Sequence, residues 1–321
     1  MTRDVRGRAQ FGAETDAGGR FVRQSSRFRD AVTADGSSGF RAEPGRYHLY
    51  VSRACPWAHR TIIVRRLKGL EDVVSLSVVD PVRDERGWAF REGPGHGPDP
   101  VNGFAFLSEA YTASDPGFSG RVTVPALWDR ETGRVVNNES ADIIRMLNSE
   151  WDEWGEAGLD LYPAELRDEI DEVNDSVYRY VNNGVYRAGF ATTQDAYEEA
   201  FDALFATLAD LDTRLATRRY LTGDRLTEAD WRLFTTLIRF DVVYVGHFKC
   251  NLRRISDHAS LWPYLRDLYQ VPGVADTVWF DHIKRHYYLT HDSINPTGII
   301  PKGPELDLDA PHGRAPGAHS G

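Results

Sequence analysis

A run of β-formers, YHLYVS (47–52), breaks at Arg53-Ala54-Cys55-Pro56 and passes directly into an apolar-periodic stretch that stops at Gly69. Proline suits the first turn of a helix, where the missing N–H has no partner to lose, so the helix begins at Pro56. Ile62, Ile63 and Leu67 follow at helical spacing, and VVSLSVVDP (73–81) is a second strand of β-formers. The segment is therefore β-α-β, with one thiol, Cys55, at the helix N-terminus.

That position bears on chemistry, because a cysteine attacks as its thiolate and the unpaired N–H groups and dipole of a helix start favour negative charge. Arg53, His59 and Arg60 stand close by in sequence and can add positive potential. Ala58 occupies the place where a dithiol motif carries its second cysteine, so Cys55 has no local partner for a disulfide. The other cysteine, Cys250 in YVGHFKCNL, reads as a buried core residue, with a resolving role as the less favoured alternative. What remains is a mixed disulfide with a small-molecule thiol, released by a second molecule of the same thiol.

Downstream, Pro81 to Arg121 is rich in Gly and Pro, too long for an ordinary loop, and carries Trp88. VTVPALWD and RVVNN, joined by the turn ETG, form a hairpin, and ESADIIRMLNSE closes the half as a helix. The order βαβ-insert-ββα is that of a thioredoxin fold. In such folds the proline opening the third strand is cis and the residue before it presents its backbone to a bound peptide, which places a clamp at Val124-Pro125. Asn138, Glu139 and Ser140 open the next helix, where free N–H groups and hydroxyls hold a carboxylate while Glu139 meets an ammonium, a combination suited to an amino-acid end; plain helix capping is the alternative.

The rest of the 321-residue chain is helical in period over 163–183, 194–217, 228–246, 260–270 and 272–285, with Thr227 and Asp230 resembling a capping box. Residues 149–175 hold eleven acids against one arginine and read as a solvated linker or helix face. The expected organisation is an extended arm (1–45), a thioredoxin-like thiol-binding domain (46–149, insert 81–121), an all-helical substrate domain (150–290) and a Pro/Gly-rich tail (291–321) that packs along the surface or frays. A net charge of −10 argues against nucleic acid as a partner. No apolar run is long enough for a membrane span, MTRDVRGRAQFG lacks the apolar segment of a secretory signal, and two cysteines are too few for a disulfide framework. A cytoplasmic setting, with both thiols reduced and no metal, is expected.

Cysteine, Val-Pro and Glu-Ser in this order resemble a glutathione transferase, with an N-terminal thioredoxin-like and a C-terminal all-helical domain. CPWAHRTIIVRRLKGLEDVVSLSVVDP, VNNESADIIRML, VNNGVYRAGFA, TGDRLTEADWRLFTTLIRFDVVYVGHFKCN and HIKRHYYLTHDSINPTGIIPKGP are more specifically similar to the Xi class, the glutathionyl-hydroquinone reductases, over residues of about 40 to 304. The resemblance implies reduction of glutathionyl-hydroquinones to hydroquinones with release of glutathione disulfide, by a homodimer acting on aromatic quinol conjugates. It puts the nucleophile on Cys55, glutathione contacts on Trp88, Arg121, Val124, Pro125, Glu139 and Ser140, and the aromatic-substrate side on Tyr186 and on Tyr287 or Tyr288. Tyr186 is then the first choice of proton donor, with Tyr287 holding or polarising the ring oxygen. A general Cys-type thioltransferase or dehydroascorbate reductase of Omega type is the alternative activity. The Arg- and Ala-rich composition also suggests a GC-rich genome, which leaves the sugar-linked thiol mycothiol open as co-substrate, although Glu139-Ser140 favours a γ-glutamyl group.

Overall fold

A computed structural model of the chain describes residues 14–314. Two compact units emerge, and they regroup the linear segments: one comprises Gln24–Ala157 with Asp281–Asp292, the other Glu14–Arg23, Gly158–Phe280 and the described residues from Ser293 onward. The first unit is built on strands β1 (Tyr47–Val51), β2 (Ser75–Val78), β3 (Ala126–Asp129) and β4 (Arg134–Asn137), with helices α1 (Pro56–Leu67), α2 (Leu107–Ser114) and α3 (Ser140–Ser149). The sheet order is β2-β1-β3-β4, with β1 parallel to β2 and antiparallel to β3, as expected for a thioredoxin-like domain. Every residue of β1 is buried, as a central strand covered on both faces requires. Gly69 ends α1 with φ +62°, the left-handed conformation that closes a helix most cheaply at glycine.

Three stretches of this unit are more ordered than their composition suggests. In the insert, the buried Asp99 carboxylate accepts from Tyr50 Oη at 3.1 Å and from the N–H groups of Val101, Asn102 and Phe104, tying the loop to the central strand. The insert also contains α2, opened by Glu109, whose Oε1 accepts from the N–H groups of Ala105 and Phe106 at 2.9 Å. The acidic stretch is anchored at its start: Trp151 is fully buried edge-on to Tyr47, and Asp152 pairs at 2.8 Å with a buried Lys68. Ahead of β1, Arg29 pairs antiparallel with Asn137, so the arm extends the sheet beside β4, with Asp30 N bonded to Val136 O and Asn138 N to Phe28 O, both at 3.1 Å.

The second unit is helical: α4 (Arg167–Ser176), α5 (Gly184–Gly189), α6 (Gln194–Leu215), α7 (Glu228–Arg239) and α8 (Leu261–Tyr269), with π-helical turns over Val177–Asn182 and Phe240–Tyr244. Its capping box forms as the sequence suggests: the buried Asp230 accepts from Thr227 N at 2.9 Å, and also from Leu221 N and Tyr264 Oη. The helix expected over 272–285 is displaced. Gly273 at φ +83° interrupts it, a short 3-10 turn follows at Ala275–Thr277, and α9 (Phe280–Thr290) begins later and groups with the first unit. Among the described residues no helix is long and apolar enough to cross a membrane.

Each unit buries a histidine whose environment couples folding to pH. Burial pushes His48, on β1, down to about 4, and does the same to His247 in the helical unit. Both imidazoles stay neutral in the folded protein, whereas the unfolded chain protonates them near 6.5, so the unfolded state binds more protons and stability is lost as pH falls from 6.5 toward 4. The urea midpoint should therefore drop between pH 7 and 4.5, by a loss on the order of 1 to 3 kcal/mol per histidine. A His48→Gln variant should show a shallower dependence over the same interval.

Candidate active site

Cys55 stands at the cap position of α1, with extended backbone (φ −76°, ψ 123°) that turns the chain from strand into helix. Its carbonyl accepts the first helical bond, from His59 N at 3.0 Å, and Pro56 fills the first turn. The thiol is partly exposed and lies 3.4 Å from the carbonyl oxygen of Val124, to which it donates. The Val124-Pro125 peptide is cis, the form expected from its place before β3. Register explains the meeting of these segments: Tyr50 on β1 pairs with Ala126 on β3, so the ends of the two strands bring Cys55 and Val124 together.

The opening of α3 lies in the same unit. Glu139 caps it, its Oε1 accepting from Ala141 N at 3.2 Å, while Oε2 accepts from the hydroxyl of Ser26 at 2.9 Å. Ser140 is buried and takes a 3.4 Å contact from the guanidinium of Arg60, itself buried on α1 and stacked over the Trp57 ring at 4.4 Å. Asn138 is held by Tyr111 Oη, Thr123 Oγ1 and Phe28 N. The Arg121 backbone N–H donates to Gln24 of the arm at 3.3 Å. Sequence reading singled out Glu139, Ser140 and Arg121; it missed Ser26 and Gln24, because a serine or glutamine in a non-periodic arm carries no signal of what it touches.

Trp88 is buried in the insert and stacks on His286 of α9 at 5.0 Å, with the Arg83 guanidinium over its ring at 5.2 Å. His286 Nδ1 lies 2.8 Å from Pro81 O and His282 Nε2 2.7 Å from Pro94 O, so α9 holds the first part of the insert at two points; a carbonyl only accepts, so each of these nitrogens carries the proton. Tyr287 and Tyr288, on the same helix, are both buried, Tyr287 edge-on to His286 and His291. Burial raises the Tyr288 hydroxyl above its ordinary value.

In the helical unit Tyr186 sits on α5 within an aromatic group: Phe248 at 5.5 Å, Phe190 and Tyr244 at 6.2 Å, and Phe21 of the arm at 6.4 Å. The Arg23 guanidinium lies over the Tyr186 ring at 4.9 Å, anchored by its Nε bond to Asn183 Oδ1 at 2.7 Å. Gly189 permits this packing, since a Cβ there would fall 2.2 Å from the Phe248 ring. Cys250, in the same unit, is fully buried, and burial pushes its thiol well up, away from the thiolate. Among the described residues no cluster of His, Cys, Asp or Glu is placed to hold a metal ion.

The two cysteines thus differ in access. Iodoacetamide at neutral pH should label one thiol per folded chain, at Cys55, and a second only after denaturation, as read by mass spectrometry of tryptic peptides. Labelling of Cys250 in the folded protein would contradict its burial.

Comparison with known proteins follows the same division. Residues 54–150 match the glutathione S-transferase N-terminal domain and residues 194–270 the glutathione S-transferase C-terminal domain. The chain is 56% identical over 304 residues to glutathionyl-hydroquinone reductase YqjG of Escherichia coli, covering 92% of this chain and 93% of that protein. It is 55% identical over 292 residues to glutathionyl-hydroquinone reductase PcpF of Sphingobium chlorophenolicum, covering 91% and 92%. The glutathione-bound structure of YqjG superposes with a TM-score of 0.88 over 90% of this chain and 96% of that one, at 55% identity. A Xi-class transferase from Natrialba magadii matches at TM-score 0.88 and 53% identity, covering 89% and 88%.

Proposed function

The chain belongs to the Xi class of the glutathione transferases, the glutathionyl-hydroquinone reductases, and on that premise we propose that it reduces glutathionyl-hydroquinones to hydroquinones with glutathione as the reductant. The observation that carries the reading is Cys55: a partly exposed thiol at an open helix start, beside the Val124 carbonyl, with alanine rather than cysteine three residues on. Such a thiol starts a redox cycle that it cannot finish alone. A soluble thiol must complete it.

An aryl thioether resists attack by a thiolate. Its keto tautomer places the sulfur on an sp³ carbon beside a carbonyl, and there the Cys55 thiolate attacks sulfur. A Cys55–glutathione disulfide forms, the carbon–sulfur bond breaks, and its electron pair passes into an enolate that becomes the aromatic hydroquinone on protonation. A second glutathione, as thiolate, attacks the mixed disulfide, returning Cys55 and leaving as glutathione disulfide. The sum is one conjugate and one glutathione in, one hydroquinone and one disulfide out.

Tyr186 is the proton donor in this reading, supported by its hydroxyl chemistry and by a cation over its ring, which favours the phenolate left after donation. Tyr287, with Tyr288 as its neighbour on the same helix, holds the ring oxygen. Val124 and Pro125 align the peptide backbone of the thiol, Glu139 and Ser140 take its amino-acid end, and Trp88 and Arg121 complete the thiol's surroundings. Glutathione fits this set better than mycothiol, because Glu139 offers a carboxylate to an ammonium and the acetylated amine of mycothiol supplies none. We place the enzyme in the reducing cytoplasm as a homodimer.

Incubation with a glutathionyl-hydroquinone and excess glutathione should release free hydroquinone and glutathione disulfide in equal amounts, followed by chromatography. Cys55→Ser should lower turnover by at least about a thousandfold, as loss of a nucleophile does, while Cys250→Ser leaves it unchanged. Failure to form product with either glutathione or mycothiol would sink the proposal, and activity confined to dehydroascorbate or simple mixed disulfides would favour the thioltransferase alternative. In single turnover, Tyr186→Phe should slow hydroquinone release about a hundredfold with the glutathione Kd unchanged. An unaltered rate removes Tyr186 as the donor.

A further inference from the structure

Glu139 is held more firmly than helix capping demands. Capping uses one oxygen, Oε1, which accepts from Ala141 N at 3.2 Å. The other, Oε2, accepts at 2.9 Å from the hydroxyl of Ser26, 113 residues earlier in the chain; Asn138 O, at 3.4 Å from the same hydroxyl, is a longer second acceptor. Ser26 does not arrive there loosely. Two residues on, Phe28 and Asn138 bond to each other twice, Phe28 N to Asn138 Oδ1 at 3.0 Å and Asn138 N to Phe28 O at 3.1 Å, and Asp30 N bonds to Val136 O. The neighbouring cation, Arg29, is taken up by Asp142, with its Nη2 3.0 Å from Oδ1.

We propose that Ser26 is a positioning residue for the amino-acid end of the thiol co-substrate: its hydroxyl fixes the Glu139 carboxylate in the orientation that receives an ammonium. The inference rests on the reading of Glu139 as the partner of a γ-glutamyl ammonium. An ionised carboxylate offers about four acceptor sites, so the bonds from Ala141 and Ser26 leave each oxygen free to take a further charged donor. A glutamate tethered at both oxygens has already lost its rotamer freedom, and that cost no longer falls on ligand binding. A segment outside the βαβ-insert-ββα order of the fold thereby contributes to thiol selection.

Binding of two reduced thiols separates the possibilities: glutathione, and cysteinylglycine, which is the same peptide without its γ-glutamyl group. Ser26→Ala should raise the glutathione Kd about three- to tenfold, the range that an ordinary intramolecular hydrogen bond is worth, and leave that of cysteinylglycine unchanged. Turnover at saturating glutathione should hold, and Ser26→Thr, which keeps the hydroxyl, should retain the wild-type ratio of the two constants. A glutathione Kd unmoved by Ser26→Ala overturns the proposal, and so does an equal loss for both thiols, which would mark a structural role. If the wild-type protein itself does not prefer glutathione to cysteinylglycine, the reading of Glu139 fails first, whatever Ser26 does.

Discussion

The antiparallel register of β1 against β3 is the constraint on which the thiol site depends. Tyr50 opposite Ala126 sets the two strand ends side by side, and from those ends the chain runs in one direction to Cys55 and in the other to Val124. A slip of one residue would turn every buried side chain of β1 to the opposite face, so the packing of Tyr47, Leu49 and Val51 holds the register and the register holds the sulfur beside the carbonyl. Pro56 adds the second constraint. It starts α1 immediately after the cysteine, which puts the thiol at the end of the helix where backbone N–H groups have no intrahelical acceptor.

Where structure follows from local periodicity, it was legible in the sequence. The strand, Cys-Pro and helix from 47 to 69, the hairpin closed by Gly133, and the Thr227–Asp230 box all depend on residues close in sequence that have strong preferences of their own. Where it follows from long-range polar bonds, it was not. Asp99 organises the insert through one carboxylate with four donors, and nothing in the sequence marks that aspartate from Asp84 or Asp115 of the same insert. The acidic stretch misleads for a similar reason: a count of charges predicts solvation, yet one buried tryptophan and one buried lysine partner fix its start.

The candidate site divides in the same way. Cys55, the Val-Pro pair and Glu139-Ser140 sit at element boundaries, where proline and capping residues announce themselves. The surroundings of Tyr186 do not, since Phe21 and Arg23 come from one distant stretch and Tyr244 and Phe248 from another, and they meet it only through packing. Motif likeness singles out the tyrosine, whereas the cation over its ring arises from a long-range contact that no motif carries. The α9 histidines are a further case, because His282 and His286 act by donating to insert carbonyls, an interaction that leaves no pattern in either segment.

Electrostatics at α3 give the co-substrate question a physical form. The start of a helix favours an anion, and the protein spends part of that preference on its own Glu139. On the proposed reading the place offers both signs within one turn: the Ser140 hydroxyl toward a carboxylate, and the Glu139 carboxylate toward a cation. A zwitterionic amino-acid end satisfies both. An uncharged ligand satisfies neither and strips water from the half-buried Glu139 without replacing it, a desolvation cost with no return. On the proposed reading, selection of glutathione is therefore exercised as much by what an uncharged sugar-linked thiol would leave unpaired as by what the peptide gains, and the arm that holds Glu139 in place strengthens that penalty by denying the carboxylate a way to turn aside.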